Sequence, residues 1–434
     1  MSVNWRNIGL FAAVAVMVLI VGFVQSWNVA LGLVNMGLVS AIMALGVNMQ
    51  WGYAGLFNVG IMGFVALGGL AVVITSSSPV GPAWDAGGFR ILFSLAYAIG
   101  LLTAAIVTYQ KMKPGRLRAL VMTALLVVGF FAYRAMFDPG VEAVEAIDPA
   151  ATGFLGGLGL PVLVAWPVGG LLAALAAWAI GKTALGLRSD YLAIATLGIS
   201  EIIIAVMKNE DWLARGVKNV IGLPRPVPYE VDLQASPRFL DFAANIGMNP
   251  VTASSITVKL AYAGLFLTVL IVLIWMSESA LKSPWGRMMR AIRDNEVAAG
   301  AMGKDVTRRH LQIFILGSAV VGIAGAMMTT LDGQLTPASY QPLRYTFLVW
   351  VMVIVGGSGN NWGAVLGGFI IWFFWNEVEP IAYWSISHLT SFMSDDSPLK
   401  LHLLHSTAHL KMFTMGLIML LVLRFSPRGL IPEK

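Results

Sequence analysis

The chain has 434 residues, 58% of them hydrophobic and 12% charged, with a formal net charge of +6 and no cysteine. Soluble domains carry roughly 25% charged residues, so this composition excludes a soluble globular enzyme and indicates a polytopic membrane protein. The missing cysteines exclude disulfide and thiol chemistry, and Lys and Arg gathered in short loops set membrane orientation rather than bind nucleic acid.

No polar linker separates two soluble units, so residues 1–434 read as a single transmembrane domain. Apolar runs near the roughly 20-residue length that crosses a bilayer fall at about 8–25, 29–51, 53–75, 90–109, 117–136, 159–180, 189–207, 256–276, 310–331 and 411–425. The first has a basic residue before it and no small-x-small cleavage site before Trp27, which reads as a retained span. Between the second and third lies the Gly-rich stretch 52–60, with Asn48, Gln50 and Asn58 around it. Such an interruption marks either a broken helix lining a central pathway or a simple turn between helices.

Lys111, Lys113, Arg116 and Arg118 form one basic loop, and Lys182 with Arg188 a second, both expected inside. Residues 137–158 carry Asp138, Glu142, Glu145 and Asp148 without Lys or Arg and are expected outside, as is the loop 208–255. In the 189–207 run, Asp190 beside Arg188 is either an interfacial ion pair or a functional group. Glu201 lies deeper, where a carboxylate is expected to face the bundle, with Thr196 as its nearby hydrogen-bond partner.

Residues 277–310 are polar and carry seven Lys and Arg between two apolar runs, which places them on the cytoplasmic side. Ser283 is placed to cap a helix, and Pro284 suits its first position. Arg287, Arg290 and Arg293 recur every three residues, and Met288, Met289 and Ile292 form a second, apolar face able to dock another protein. Residues 346–376 are too long for one span and break at Gly356–Asn361. Because both termini are expected inside, this stretch must cross an even number of times, as two short or re-entrant helices. Gly359, Gly363 and Gly367 make two small-xxx-small steps that let a neighbouring helix approach.

The segment 377–410 reads as an external loop whose His388, His402, His405 and His409 suit an exposed amphipathic stretch, not a metal site. No catalytic constellation stands out. Gly181-Lys182-Thr183 has Ala176 where a phosphate loop needs glycine, so the chain has no recognisable means of hydrolysing ATP. The expected fold is an all-α polytopic membrane protein with about 10–12 transmembrane or half-membrane helices, broken Gly-rich helices and a cytoplasmic helix. From the residues alone, a secondary transporter using Asp190 or Glu201 as a proton or cation site is one functional reading.

Three blocks carry a resemblance. Residues 44–48 run into 52–56 and Gly60; 187–198 end in Glu201; and 283–287 join 291–299 and Gly303, then 355–359 and Trp362-Gly363. In this order they resemble the LivM-type permease subunit of bacterial branched-chain amino acid ABC importers. The resemblance implies a multi-pass inner-membrane permease moving branched-chain or other small amino acids inward by alternating access. It implies two cytoplasmic ATPase subunits that bind ATP, a second related permease and a periplasmic or external solute-binding protein as partners, with membrane lipid around them and no cofactor in this chain. Glu296, Ala298 and Ala299, leading to Gly303, look like the coupling helix that an ATPase groove receives, with Arg287, Arg290 and Arg293 beside it. Residues 77–158 and 377–410 are longer than the family pattern, and Asn360-Asn361 stands where a smaller or apolar pair is expected. Permeases for urea and short amides share much of this scaffold.

Overall fold

The computed structural model describes residues 5–148, 152–187, 189–394 and 397–433. In chain order the principal helices are α1 (Trp5–Val24), α2 (Trp27–Ala54), α3 (Ile61–Ser76), α4 (Gly81–Lys111), α5 (Arg116–Glu145), α6 (Val162–Ala184), α7 (Ser189–Asn209), α8 (Pro250–Lys282), α9 (Pro284–Asp294), α10 (Glu296–Ala301), α11 (Val306–Asp332), α12 (Leu343–Gly356), α13 (Asn361–Leu389) and α14 (Pro398–Phe425). Among the described residues nine are long and apolar enough to cross a membrane, while α3 and α12 are apolar but shorter. The protein is an all-α, multi-pass membrane protein.

Helices that are apolar all round must be covered by protein or by lipid. Both cases occur: α2 and α11 are largely buried, whereas α1, α4, α5 and α14 leave most of their surface open. The centre forms around α11, which packs on α2, α3 and α6. Small residues permit this, because lipid supplies no hydrophobic drive between helices and association depends on close packing. At Gly322 of α11, a Cβ would lie 2.5 Å from both Gly169 O and Ala173 Cβ of α6.

Two spans are interrupted. At the first break, α2 ends in Gly55 at φ +68°, whose N–H donates to Trp51 O, and extended chain leads to α3. At the second, Gly357 (φ +117°) and Gly359 (φ +82°) end α12, and the Asn360 side chain caps α13 by accepting from Trp362 N (3.0 Å) and Gly363 N (3.2 Å). α12 and α13 form an antiparallel hairpin, so 346–376 is two helices, as parity requires.

Helices run further than charge alone indicates. α13 continues through Pro380 to Leu389 and α14 begins at Pro398, so most of the expected external loop 377–410 is helical. α5 likewise passes Pro139 to Glu145, with Arg134 and Asp138 paired at 2.8 Å on it. Charge marks where a helix leaves the apolar layer, not where it stops. The 208–255 loop holds three short helices, Asp211–Ala214, Glu230–Ala235 and Pro237–Asn245, and α8 already starts inside it at Pro250. Its strand Val220–Ile221 pairs antiparallel with Gln334–Leu335. At the opposite, basic end lie α9 and α10.

Candidate functional site

The two breaks lie side by side at the basic end, joined by a buried polar network. Irregular backbone inside a membrane protein must find its hydrogen bonds within the protein. Asn58 Nδ2 donates to Gln50 Oε1 (2.8 Å), and Asn58 Oδ1 accepts from Gly60 N (2.9 Å). Gln50 Nε2 donates to Phe314 O (3.0 Å) and Ser318 Oγ (2.9 Å) of α11. Thr196 Oγ1 accepts from Val59 N (3.1 Å), and Ser200 Oγ donates to Gly60 O (2.7 Å), fastening α7 to the same break. From α12, Trp350 Nε1 donates to Asn58 O (2.9 Å), and its ring meets Trp51 and Phe57 edge-on.

Asn48 bridges the breaks: Oδ1 accepts from Gly359 N (2.8 Å), and Nδ2 donates to Asn361 Oδ1 (3.3 Å). Asn361 Oδ1 also accepts from Tyr53 Oη, while Asn361 Nδ2 donates to Glu278 Oε1 of α8 (3.0 Å). A Cβ on Gly52 would be 2.8 Å from Gly359 Cα, so glycine is required for the two turns to touch. Gly363 and Gly367 pack the hairpin: a Cβ on Gly363 would be 2.7 Å from Gly356 O, and one on Gly367 would run into Met352 O. Gly359 is not part of that seam; it forms the turn itself and faces Glu433 and Arg293.

Below the breaks, Ser283 caps α9, accepting from Gly286 N (3.4 Å). Asn295 Oδ1 then accepts from Ala298 N (2.9 Å) and starts α10, so the expected single helix is two, meeting at a cap. Gly303 (φ +77°) ends α10. The face containing Met289 and Ile292 is buried in the chain's own bundle and Met288 is half-buried, so it does not serve an outside partner. The outward surface is on and just after α10, where Val297 is 82% and Met302 79% exposed; Glu296 and Ala298 are exposed, Ala299 buried.

The arginines do not form one outward stripe. Arg287 donates to Lys282 O (3.2 Å) and Arg290 to Leu281 O (3.4 Å), satisfying carbonyls at the end of α8. Arg293 turns inward and donates to Gly52 O and to Glu433 Oε2 (2.8 Å). Burial disfavours its cation, but the hydrogen bond and charge of Glu433, then of Asp294, outweigh that and raise its pKa. A cavity of about 180 Å³, lined in part by Gly55, Phe57, Leu192, Arg293, Glu296 and His310, opens beside this arginine.

Asn48, Gln50, Asn58 and Thr196 therefore come together as expected, but their polar atoms serve the breaks instead of lining an open path. Glu201 is not with them. It is exposed, because Thr196 and Ser200 hold the inner face of α7 and Glu201 lies one residue, about 100°, round the helix. Thr196 bonds Val59 and Ala193, not Glu201. Asp190 is exposed too, and its partner Arg188, like Lys434 of the basic tail, lies outside the described residues. The sequence reading does not single out Tyr53, Ser200, Glu278, Trp350 or Glu433; the unusual Asn360-Asn361 pair is the signal that leads to them. Among the described residues no group of three or more His, Asp or Glu is placed to hold a metal ion.

A multi-pass bundle with paired broken spans and a helix projecting from its basic end has the architecture of a membrane permease. Residues 29–423 match the family described as branched-chain amino acid transport system / permease component, and the chain belongs to that family. It is similar to the high-affinity branched-chain amino acid transport system permease protein LivM of Salmonella typhimurium, 28% identical over 57% of this chain and 57% of that protein. The probable LivM permease of Methanocaldococcus jannaschii is 27% identical over 57% of this chain and 61% of its own length. The xylose transport system permease protein XylH of Escherichia coli is 25% identical over 51% and 45%. The chain thus spans about three-fifths or less of the relatives it matches. No solved structure gives a significant match.

Proposed function

We propose that this chain is the translocation subunit of an ABC importer that moves a branched-chain or other small amino acid inward by alternating access. ATP is bound and hydrolysed by two partner subunits, and the chain itself carries no cofactor. The observation that carries this reading is α10, a capped helix held out from the basic end with Val297 and Met302 uncovered, while the helix behind it is anchored in the bundle. Its shape and exposure suit a groove on a soluble partner. Basic loops put this end, and both termini, in the cytoplasm of a bacterial cell.

Pairing with a second, related permease follows from α7. Tyr191, Ile194, Gly198, Glu201 and Ala205 recur every three or four residues on its exposed face. Glu201 lies about 18 Å along the helix, within the depth of a ~30 Å hydrocarbon core, where a carboxylate facing lipid is costly. A second permease and a water-filled path between the two cover it, and this face, not the bonded amides of the breaks, meets the solute. The names of the LivM relatives support an amino acid. An external solute-binding protein delivers it.

The test is affinity purification from native membranes, then uptake in vesicles. The reading expects co-purifying ATPase subunits and a second permease, and uptake that requires ATP. A purified single chain that concentrates solute under an ion gradient alone overturns it in favour of a secondary transporter, with Glu201 as the cation site.

A further inference from the structure

Arg293 belongs to the helix pair by sequence but reaches two separate parts of the chain. Its guanidinium donates to Gly52 O at the first break and to Glu433 Oε2 on the segment 426–433 (2.8 Å). Its aliphatic stem lies against Gly55, where a Cβ would be 3.5 Å from Arg293 Cγ. The 426–433 segment in turn clasps the second break. Leu430 N donates to Val355 O and Ile431 N to Gly356 O, both at 2.9 Å, satisfying two carbonyls of the last turn of α12. Asn360 Nδ2 donates to Pro432 O (3.2 Å), and Arg6 Nη2 donates to Leu430 O (2.8 Å). Gly429 and Gly357 pack backbone to backbone, and both have φ values that favour glycine, +79° and +117°.

We propose that Arg293 is a positioning residue that ties the α9–α10 pair to both helix breaks at once, directly at Gly52 and through the 426–433 clasp at Gly356–Asn360. This rests on the importer reading above, because it assigns a route by which displacement of α10 reaches the membrane path. Without the link, α9 would still be joined by chain to α8 and, through α10, to α11, and would still pack Met289 and Ile292 against the bundle, α2 included, but its directional bond to the first break and its tie to the second would be lost. With it, both breaks move with the partner-facing helix as one body. A planar guanidinium suits the role, since Nη1 donates to both Gly52 O and Glu433 Oε2 while Nε and Nη2 hold Asp294 Oδ1 of α9 (3.3 and 3.2 Å), and a single ammonium cannot serve both sides in fixed directions.

The experiment uses the full complex in vesicles, with uptake measured per ATP hydrolysed at equal amounts of assembled complex. Arg293→Ala is expected to lower that ratio by about tenfold or more, since it loses the charge-assisted hydrogen bonds to both Gly52 O and Glu433 and one such bond is worth about tenfold. Glu433→Gln is expected to lower it less, and Arg293→Lys to restore part of it. A second readout does not depend on uptake. The chain has no cysteine, so spin labels at Ala291→Cys, on the exposed side of α9 and away from the docking surface, and at Ser358→Cys in the second break report one distance. That distance should stay narrow and constant through the nucleotide cycle, and broaden when Arg293→Ala is added. An unchanged ratio together with an unchanged distance distribution overturns the proposal. Fewer assembled complexes with an unchanged ratio per complex also overturns it, because that is what a merely stabilising arginine does. If the unsubstituted complex shows no ATP-driven uptake, the importer reading fails; the distance measurement on the chain still decides whether the second break follows the helix pair.

Discussion

Replacing Asn361 with leucine should be among the most damaging single changes near the breaks, although it keeps the number and branching of the side chain's heavy atoms. Asn361 is 1% exposed, and its Oδ1 accepts from both Tyr53 Oη and Asn48 Nδ2 (3.3 Å), while its Nδ2 donates to Glu278 (3.0 Å). Tyr53 and Asn48 are 1% and 0% exposed, so Asn361→Leu strands two donors that water cannot reach. Each stranded group costs about 1–3 kcal/mol. Glu278 adds little, because its side chain is 30% exposed and has Lys282 at 3.8 Å. The expected loss is about 3–4 kcal/mol, against about 1–2 kcal/mol for Asn360→Ala, which removes the helix cap and a part-buried bond to Pro432 O. Denaturant titration of the purified chain in detergent, followed by tryptophan fluorescence, measures both. Tyr53→Phe removes one of the two stranded donors in advance. Combined with Asn361→Leu, it should therefore cost about 1–2 kcal/mol less than the sum of the single changes. Strict additivity, or an Asn361→Leu cost no greater than that of Asn360→Ala, would refute the shared network.

Three further outcomes are expected. Gly367→Val drives a branched side chain into Met352 O and should cost about 1–3 kcal/mol in the same titration, whereas Gly264→Ala, with open space around it, should be neutral or slightly stabilising. Glu201→Leu should leave the stability of the single chain within about 0.5 kcal/mol yet abolish uptake in the assembled complex; intact uptake would remove Glu201 from the path. Val297→Glu with Met302→Glu should abolish ATPase co-purification without changing the denaturation midpoint, and a partner that still binds would place the docking surface elsewhere.

Span positions and the break that divides 346–376 into two helices were legible because hydropathy and turn residues act over whole segments. Helix faces were not. α7 is apolar on most sides, so its periodicity cannot tell which side meets protein, and Glu201 could be placed in depth but not in direction. The arginine spacing misled for a related reason. A repeat of three on an exposed helix implies one stripe, but α9 lies across the end of α8, so Arg287 and Arg290 find carbonyls there and Arg293 finds Gly52. Contacts between residues distant in the chain, such as Asn48 with Asn361 or Arg293 with Glu433, leave no local pattern to read.

The network also limits how this chain can move. Opening either break would expose or strand the amides of Asn48, Gln50, Asn58 and Asn361 together, and each unmade bond costs about as much as Asn361→Leu is expected to show for one donor. Tilting α2, α3, α12 and α13 as a body together with α7, α8 and α11, to which Thr196, Ser200, Glu278, Phe314 and Ser318 bind them, keeps every one of those bonds. On the importer reading, alternating access then arises between this chain and its neighbour, at the α7 face carrying Glu201, and not by unfolding the breaks. The breaks keep their irregular backbone because it brings two spans close enough to the helix pair for one arginine to hold them.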